Sequence, residues 1–290
     1  MNERIALGTV QFGLTYGVAN QSGKVASEEA GRIIAAAYSF GMRTLDTAIA
    51  YGTSESVIGN CGVTDWDIVT KLPAVPDHCD DVQEWSIKQI EGSLTRLNVN
   101  SVYGVMLHRP DQLFGAYGKE LLRSLQLIKM AGYTKKIGVS IYEPDQLNHI
   151  ISLGVIDLVQ APLSVLDRRI VESGWAQQLH NLGIELHARS IFLQGLLLMS
   201  TAHRPLKFKR WSVIWEEWAR WLEMSGLNPL QACLRYALSV REVDRIVIGV
   251  DSLSHLHELL SVTKSELQDL PQWPSVPEVE LINPSLWNLI

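Results

Sequence analysis

Between residues 5 and 260 the chain alternates short apolar runs with amphipathic stretches, and this alternation constrains the fold more than any other feature. Ile5–Leu7, Met42–Leu45, Trp66–Thr70, Val102–Leu107, Lys136–Val139, Val155–Val159, Ile184–Ala188 and Arg245–Ile248 read as strands. Ser27–Phe40, Ser54–Gly59, Val82–Leu97, Leu113–Ala131, Pro144–Leu153, Ile170–Asn181, Pro229–Ser239 and Ser252–Leu260 read as helices. Punctuation agrees with these bounds. Ser27 reads as an N-cap with Glu28 and Glu29 in the first turn, and Pro144 opens a helix. Gly41, Gly132, Gly154 and Gly183 each stop one. Strands that alternate with helices pair in parallel through crossovers. Eight such units in 290 residues favour closure into an α/β (β/α)8 TIM barrel, whose usual length is about 250 residues. No long linker divides the chain, so residues 1–290 are expected to form a single domain. An open doubly wound sheet is the alternative.

Two stretches fall outside the alternation. Met199–Leu227 reads as an inserted helical segment after the seventh strand. It carries a basic patch from His203 to Arg210, then Trp211, Trp215, Trp218 and Trp221 at near-helical spacing. An aromatic stripe of this kind is expected to pin the insertion against the barrel rather than wall a substrate. The tail after Leu270 holds Pro271, Pro274, Pro277 and Pro284 and is expected to be irregular, wrapping the barrel surface and ending near Trp287.

Composition removes several classes of function. Hydrophobic residues make up 47% and charged residues 19%, which supplies a large core and argues against disorder. A net charge of −6 argues against a nucleic-acid partner. Cys61, Cys79 and Cys233 are scattered without a C-x-x-C pair, which fits a reducing cytoplasm. MNERIALGTVQFG has no apolar signal core, and no run is long enough to span a membrane. The expectation is a cytoplasmic protein with neither a nucleic-acid nor a membrane partner. No metal site is called for, and the oligomeric state is open.

The chemistry concentrates at the ends of three consecutive strands. Asp46, Tyr51, Lys71 and His108 lie in RTLDTAIAYGTSE, DIVTKL and YGVMLHRPD, each an apolar run that turns polar at its C-terminal end. That end of a parallel barrel carries the chemistry. A Lys near a Tyr is expected to lower the Tyr pKa from about 10, making it a proton donor to a carbonyl oxygen. An anion must accompany a buried cation, and Asp46 supplies it. Taken singly, Asp46 with Lys71 reads as a structural ion pair and His108 as a core histidine. Their joint placement at strand ends points to catalysis instead.

Taken together, DTAxxYG (Asp46 to Gly52), SExxIG (Ser54 to Gly59), Thr70-Lys71 and LHRPD (Leu107 to Asp111) resemble the aldo-keto reductase family. The likeness continues through IGVS (Ile137 to Ser140), VQAPLSVLDRR (Val159 to Arg169), LQGLL (Leu193 to Leu197) and NPSLW in the tail. The resemblance implies a nicotinamide-dependent reductase of a small-molecule aldehyde or ketone. It assigns Tyr51 as general acid, Lys71 as the cation beside it, Asp46 as the partner of Lys71, and His108 as the group orienting the carbonyl. Ser140 and Gln160 match positions that hold the nicotinamide carboxamide, although Ile141 stands where the family usually has Asn. Most members place a Tyr after the seventh strand to stack on the nicotinamide, and here the aligned residue is Arg189. Ser190, Leu193 and Gly195 match the loop near the pyrophosphate.

The segment after the eighth strand, IVIGVDSLSHLHELL, departs most from the family pattern. NADP-preferring relatives often carry Lys or Arg there, whereas this chain offers Gly249, Ser252 and His255, with Asp251 of opposite sign. Ser252 is expected to cap the last helix, whose N-terminus attracts phosphate. The resemblance implies NADP(H), with NAD(H) as the alternative. Two further functions compete with a carbonyl reductase. One is a nucleotide-binding regulatory protein of the same fold without turnover. The other is a barrel lyase using Lys71 as a Schiff-base amine.

Overall fold

The structure is a computed structural model that describes residues 2–20, 22–262 and 277–289. Eight parallel strands close into one barrel in sequence order, each hydrogen-bonded to the next and β1 to β8. They are β1 Ile5–Gly8, β2 Thr44–Asp46, β3 Asp67–Leu72, β4 Val102–Leu107, β5 Thr134–Ser140, β6 Leu158–Pro162, β7 Glu185–Arg189 and β8 Arg245–Gly249. The expected closed barrel is therefore the observed one. The open sheet is excluded by the pairing of Ala6 with Val247 across β1 and β8.

The helices are α1 Ser27–Ser39, α2 Ser54–Gly59, α3 Val82–Leu97, α4 Gly118–Met130, α5 Leu147–Ser152, α6 Arg169–Glu172, α7 Trp175–Asn181, α8 Ser212–Ser225, α9 Pro229–Ser239, α10 Leu253–Val262 and α11 Val279–Ile282. Several bounds differ from the sequence reading. Ser27 is the first helical residue and does not cap α1; Ala26 holds the cap position without a side-chain bond. The stretch expected as one helix over 170–181 is broken at Gly174, whose φ of 81° only glycine takes freely. The helix expected from Leu113 begins at Gly118, after a 3-10 turn at Pro110–Phe114. β6 starts at Leu158 rather than Val155, because pairing with β5 begins at Gly138–Leu158.

Strand parity separates two sets of side chains. Leu45, Ile68, Val105, Val139, Val159, Leu186 and Ile246 point outward into the main core between sheet and helices. Val69, Met106 and Leu158 point inward and form their own small cluster inside the barrel. The same parity turns Asp46, Lys71, Ser140, Gln160, Arg189 and Gly249 inward at the C-terminal ends of their strands. His108 follows β4 with its N–H bonded to the Leu72 carbonyl at 3.0 Å, which extends the layer. At the opposite end Glu185 accepts from Tyr103 Oη at 2.6 Å and pairs with Lys136 at 2.8 Å.

The insertion packs as its aromatics led us to expect. Trp211, Trp215 and Trp218 are buried, with Trp218 Nε1 donating to the Leu197 carbonyl at 3.1 Å and Trp215 Nε1 to that of Phe208 at 2.9 Å. Part of the basic patch is spent on the same packing: Arg204 stacks 4.2 Å above Trp215 and Arg210 4.0 Å above Trp211. The described part of the tail seats Trp287 edge-on against Phe208 at 4.8 Å. It is irregular apart from α11 and a 3-10 turn at Pro284–Leu286. Pro271 and Pro274 lie outside the described residues. No helix among the described residues is long and apolar enough to cross a membrane.

Candidate active site

Four strands build one hydrogen-bonded chain across the barrel mouth. Lys71 Nζ donates to Asp46 Oδ1 at 2.7 Å and to the Thr47 carbonyl at 2.8 Å. Asp46 Oδ2 accepts from Gln160 Nε2 at 2.7 Å, and Ser140 Oγ reaches Gln160 Oε1 at 3.4 Å. All four side chains are buried. Each oxygen of the Asp46 carboxylate thus meets a donor, which is what a buried charge requires.

Tyr51 stands on the turn after β2, where its N–H closes back on the Ala48 carbonyl at 3.0 Å and α2 follows. Lys71 Nζ lies 5.2 Å from the Tyr51 ring centre. The Tyr51 and His108 rings meet edge to face at 5.8 Å and 81°. Asp46, Tyr51, Lys71 and His108 therefore converge on one point, as their strand-end positions led us to expect.

The electrostatics differ from the sequence expectation in one respect. Lys71 was expected to lower the Tyr51 pKa. The Tyr51 hydroxyl is instead held well above its ordinary range, first by burial and then by the Asp46 carboxylate, while Arg189 pulls it down. The reason is geometric: Asp46 neutralises Lys71 at contact distance. Burial also lowers the Lys71 ammonium, and Asp46 counteracts that. His108 is depressed to about 4, by burial first and then by the charges of Lys71 and Arg189. Tyr51 is thus protonated and His108 uncharged at neutral pH.

Arg189 ends β7 at the rim of this group. Its guanidinium donates to the Ile141 carbonyl at 2.9 Å and lies 4.3 Å from the centre of the Tyr142 ring. One face of the guanidinium is therefore covered by protein, and Arg189 also borders the open cleft. Among the described residues no carboxylate forms an ion pair with it.

A cleft of about 500 Å³ runs from Asp46 and Tyr51 past the end of β8 to α10. Of the positions singled out in the sequence, Asp46, Tyr51, Gln160, Arg189, Ser190, Gly195, Gly249 and His255 line it. Lys71 and Ser140 lie behind that wall, buried against Asp46 and Gln160. Leu193 does not reach the cleft; its side chain sits in the main core at 1% exposure. Ser252 is a cap, its Oγ accepting from His255 N–H at 3.2 Å, and it does not line the cleft.

The cleft, lined by both apolar and polar groups from Asp46 to Glu258, fits an elongated ligand. Its walls include glycines where a side chain would intrude: a Cβ on Gly249 would fall 2.3 Å from Gln11 Nε2, and one on Gly195 2.7 Å from the Ala19 Cβ. Gln11 Oε1 is buried beside Gly249 without a hydrogen-bond partner, an orphaned acceptor within the wall. Ser190, Leu193, Gln194 and Gly195 all have positive φ, so the backbone after β7 bends sharply around the cleft.

The sequence reading missed the roof. Gln11, Tyr16, Gly17, Ala19 and Asn20 line the cleft from the long connection between β1 and α1. Val18 N–H bonds to the Gln194 carbonyl at 3.0 Å and fixes this connection over the opening. A run of this length with no strand or helix period, punctuated by Gly13, Gly17 and Gly23, was itself the available signal. Glu258, on α10, and Asn228, the N-cap of α9, were missed as well.

Comparison with known proteins agrees with this geometry. The chain is 24% identical to L-galactose dehydrogenase of Arabidopsis thaliana, over 99% of this chain and 94% of that protein. It is 31% identical to an aldo-keto reductase of Mycobacterium marinum over 48% of each. Among solved structures, an aldo-keto reductase of Bacillus halodurans in its holo form superposes with a TM-score of 0.73 at 18% identity, over 91% of this chain and 88% of the other. The glycerol dehydrogenase of Gluconobacter oxydans gives 0.68 at 22% identity with the same coverage. The model of the Aldo/keto reductase family matches residues 4–272, and the chain belongs to that family.

Proposed function

We propose that this oxidoreductase reduces an aldehyde or ketone to an alcohol with a nicotinamide dinucleotide, Tyr51 delivering the proton. The observation that carries the reading is the convergence of Asp46, Tyr51, Lys71 and His108 beside a cleft of about 500 Å³ that Asp46 and Tyr51 line. Residues 1–290 are read as one catalytic domain. Two similar proteins bear the names L-galactose dehydrogenase and glycerol dehydrogenase, which supports a sugar- or polyol-related carbonyl as substrate.

The residues divide the work as follows. A bound nicotinamide supplies hydride. Gln160, which lines the cleft and is fixed by Asp46, is read as the group that holds its carboxamide, with Ser140 backing Gln160 from behind the wall. Ser190, Gln194 and Gly195 border the middle of the cleft, where the phosphates would pass. His108, neutral at working pH, orients the carbonyl oxygen with whichever ring nitrogen carries hydrogen. Tyr51, protonated and half-buried at the cleft wall, transfers its proton to that oxygen as negative charge develops on it. Lys71 and Asp46 form a fixed dipole beneath the Tyr51 ring and hold it in place. A Schiff-base role for Lys71 has no support, since Nζ is buried and engaged by Asp46 and Thr47.

The test is a panel of aldehydes, ketones, sugars and nucleotide-sugar ketones, scored by loss of reduced nicotinamide absorbance. Turnover of at least one carbonyl that is lost on Tyr51→Phe supports the reading. Dinucleotide binding with no turnover across the panel would favour a regulatory protein of the same fold.

A further inference from the structure

The far end of the cleft distinguishes two dinucleotides that are identical at the reacting ring. They differ only by a 2′-phosphate on the adenosine ribose. The catalytic group fixes the nicotinamide end at Asp46 and Tyr51, so the adenosine end lies past β8, among Asp251, His255 and Glu258. Two of these are carboxylates. Among the described lining residues the single Lys or Arg is Arg189, which belongs to the opposite end.

We infer that this reductase takes NAD(H) in preference to NADP(H), with Asp251 as the discriminating residue; the inference rests on the reductase reading. A carboxylate at the cleft wall accepts hydrogen bonds from the 2′- and 3′-hydroxyls of an unphosphorylated ribose. The same carboxylate repels a phosphate in the 2′ position, and Glu258 adds a second like charge on the next turn of α10. Asp251 is anchored for the task. It follows β8 by two residues, and Asn20 Nδ2 approaches its Oδ1 at 3.5 Å from the loop that roofs the cleft. Asn20 is itself held by its Oδ1, which accepts from the N–H groups of Ser22 and Gly23 at 2.9 and 2.8 Å. Among the described residues no hydrogen bond engages Asp251 Oδ2, which leaves it for a ribose hydroxyl. The helix N-terminus at α10 attracts phosphate in general. Its side-chain cap is taken by Ser252, and the charges around it are negative.

The experiment is equilibrium binding, read by nicotinamide fluorescence on the full chain at about pH 8. NADH and NADPH are titrated into wild type, Asp251→Asn and Glu258→Gln. Each is displaced in turn by 5′-AMP and by 2′,5′-ADP, which carry the adenosine end alone. Wild type is expected to bind NADH at least about tenfold tighter than NADPH, as like charges a few ångströms apart require. 5′-AMP should compete better than 2′,5′-ADP. Asp251→Asn is expected to narrow the ratio at least about threefold, chiefly by tightening NADPH. Equal or tighter NADPH binding by wild type overturns the inference and leaves the reductase reading standing. An unchanged ratio in Asp251→Asn overturns the role of Asp251. Binding of neither dinucleotide overturns both readings together. Should Asp251→Asn fail to fold, the wild-type competition and Glu258→Gln still decide.

Discussion

Asp46 and Lys71 form a 2.7 Å ion pair from adjacent strands, with both side chains almost wholly removed from water. Such a pair is held in place more by the cost of breaking it than by the gain in making it. Gln160 on the far side of Asp46 and the Thr47 carbonyl on the far side of Lys71 complete the hydrogen bonding. The pair is therefore a rigid floor for Tyr51 and has little net charge to lend it.

Lys71→Met is accordingly expected to lose stability as well as activity. It leaves the Asp46 carboxylate buried with one donor, at a cost of about 3–5 kcal/mol. Thermal unfolding followed by circular dichroism should show a large fall in Tm. Adding Asp46→Asn should recover much of it, since the two sites are directly coupled. A single mutant with wild-type Tm would show the pair to be energetically idle.

Tyr51→Phe removes only the hydroxyl. Turnover is expected to fall by roughly a hundredfold to ten-thousandfold, the usual weight of one positioned acid. The dissociation constant for reduced nicotinamide should stay within about twofold, because the ring and its contacts remain. Single-turnover kinetics together with fluorescence titration check both. Wild-type turnover would remove Tyr51 from the role of acid.

His108 titrates near 4, and burial, Lys71 and Arg189 all push it there. Its proton uptake should be visible by NMR well below the usual histidine range of about 6.5. Arg189→Met removes one of the depressing charges, so the midpoint should move upward. The linked stability is fully present above the unfolded value of about 6.5 and declines as pH falls toward 4. A His108 midpoint near 6.5 in the wild type would contradict the buried, cation-flanked site.

At the other end of the barrel, burial alone would raise the Glu185 carboxyl. Its neighbours His187, Lys136 and Tyr103 outweigh burial and hold it at about 2. A depressed carboxylate stabilises the fold at pH values above its unfolded pKa, and that contribution is lost as pH drops through the folded value. Glu185→Gln should therefore lower Tm at pH 7, with the difference shrinking below about pH 4 and vanishing near 2. A Tm difference independent of pH would point to lost packing rather than lost charge.

Much of this protein can be read along the chain. The period of the apolar runs specified eight strands. Asp46, Lys71 and His108 were legible from their places at the polar ends of those runs, and Ser140, Gln160, Arg189 and Gly249 from the family resemblance; in the fold, strand parity turns these positions toward the barrel axis. These are local facts, set by the alternation of side chains along an extended backbone.

Other features exist only after closure. The start of β6 is set by where β5 lies beside it, which moved the strand three residues from its apolar run, to Leu158. Leu193, which the family pattern put near a cofactor, turns into the core because the backbone from Ser190 to Gly195 curls through left-handed conformations. The roof of Gln11, Tyr16 and Asn20 has no period to read, and long-range bonds from Val18 to Gln194 and from Asn20 to Asp251 position it. The direction of the Tyr51 shift reversed for the same kind of reason. Sequence named the cation beside the tyrosine, but only the fold set burial and the Asp46 charge against it. Parity is a property of neighbouring residues, whereas desolvation and the approach of distant loops sum over the whole barrel.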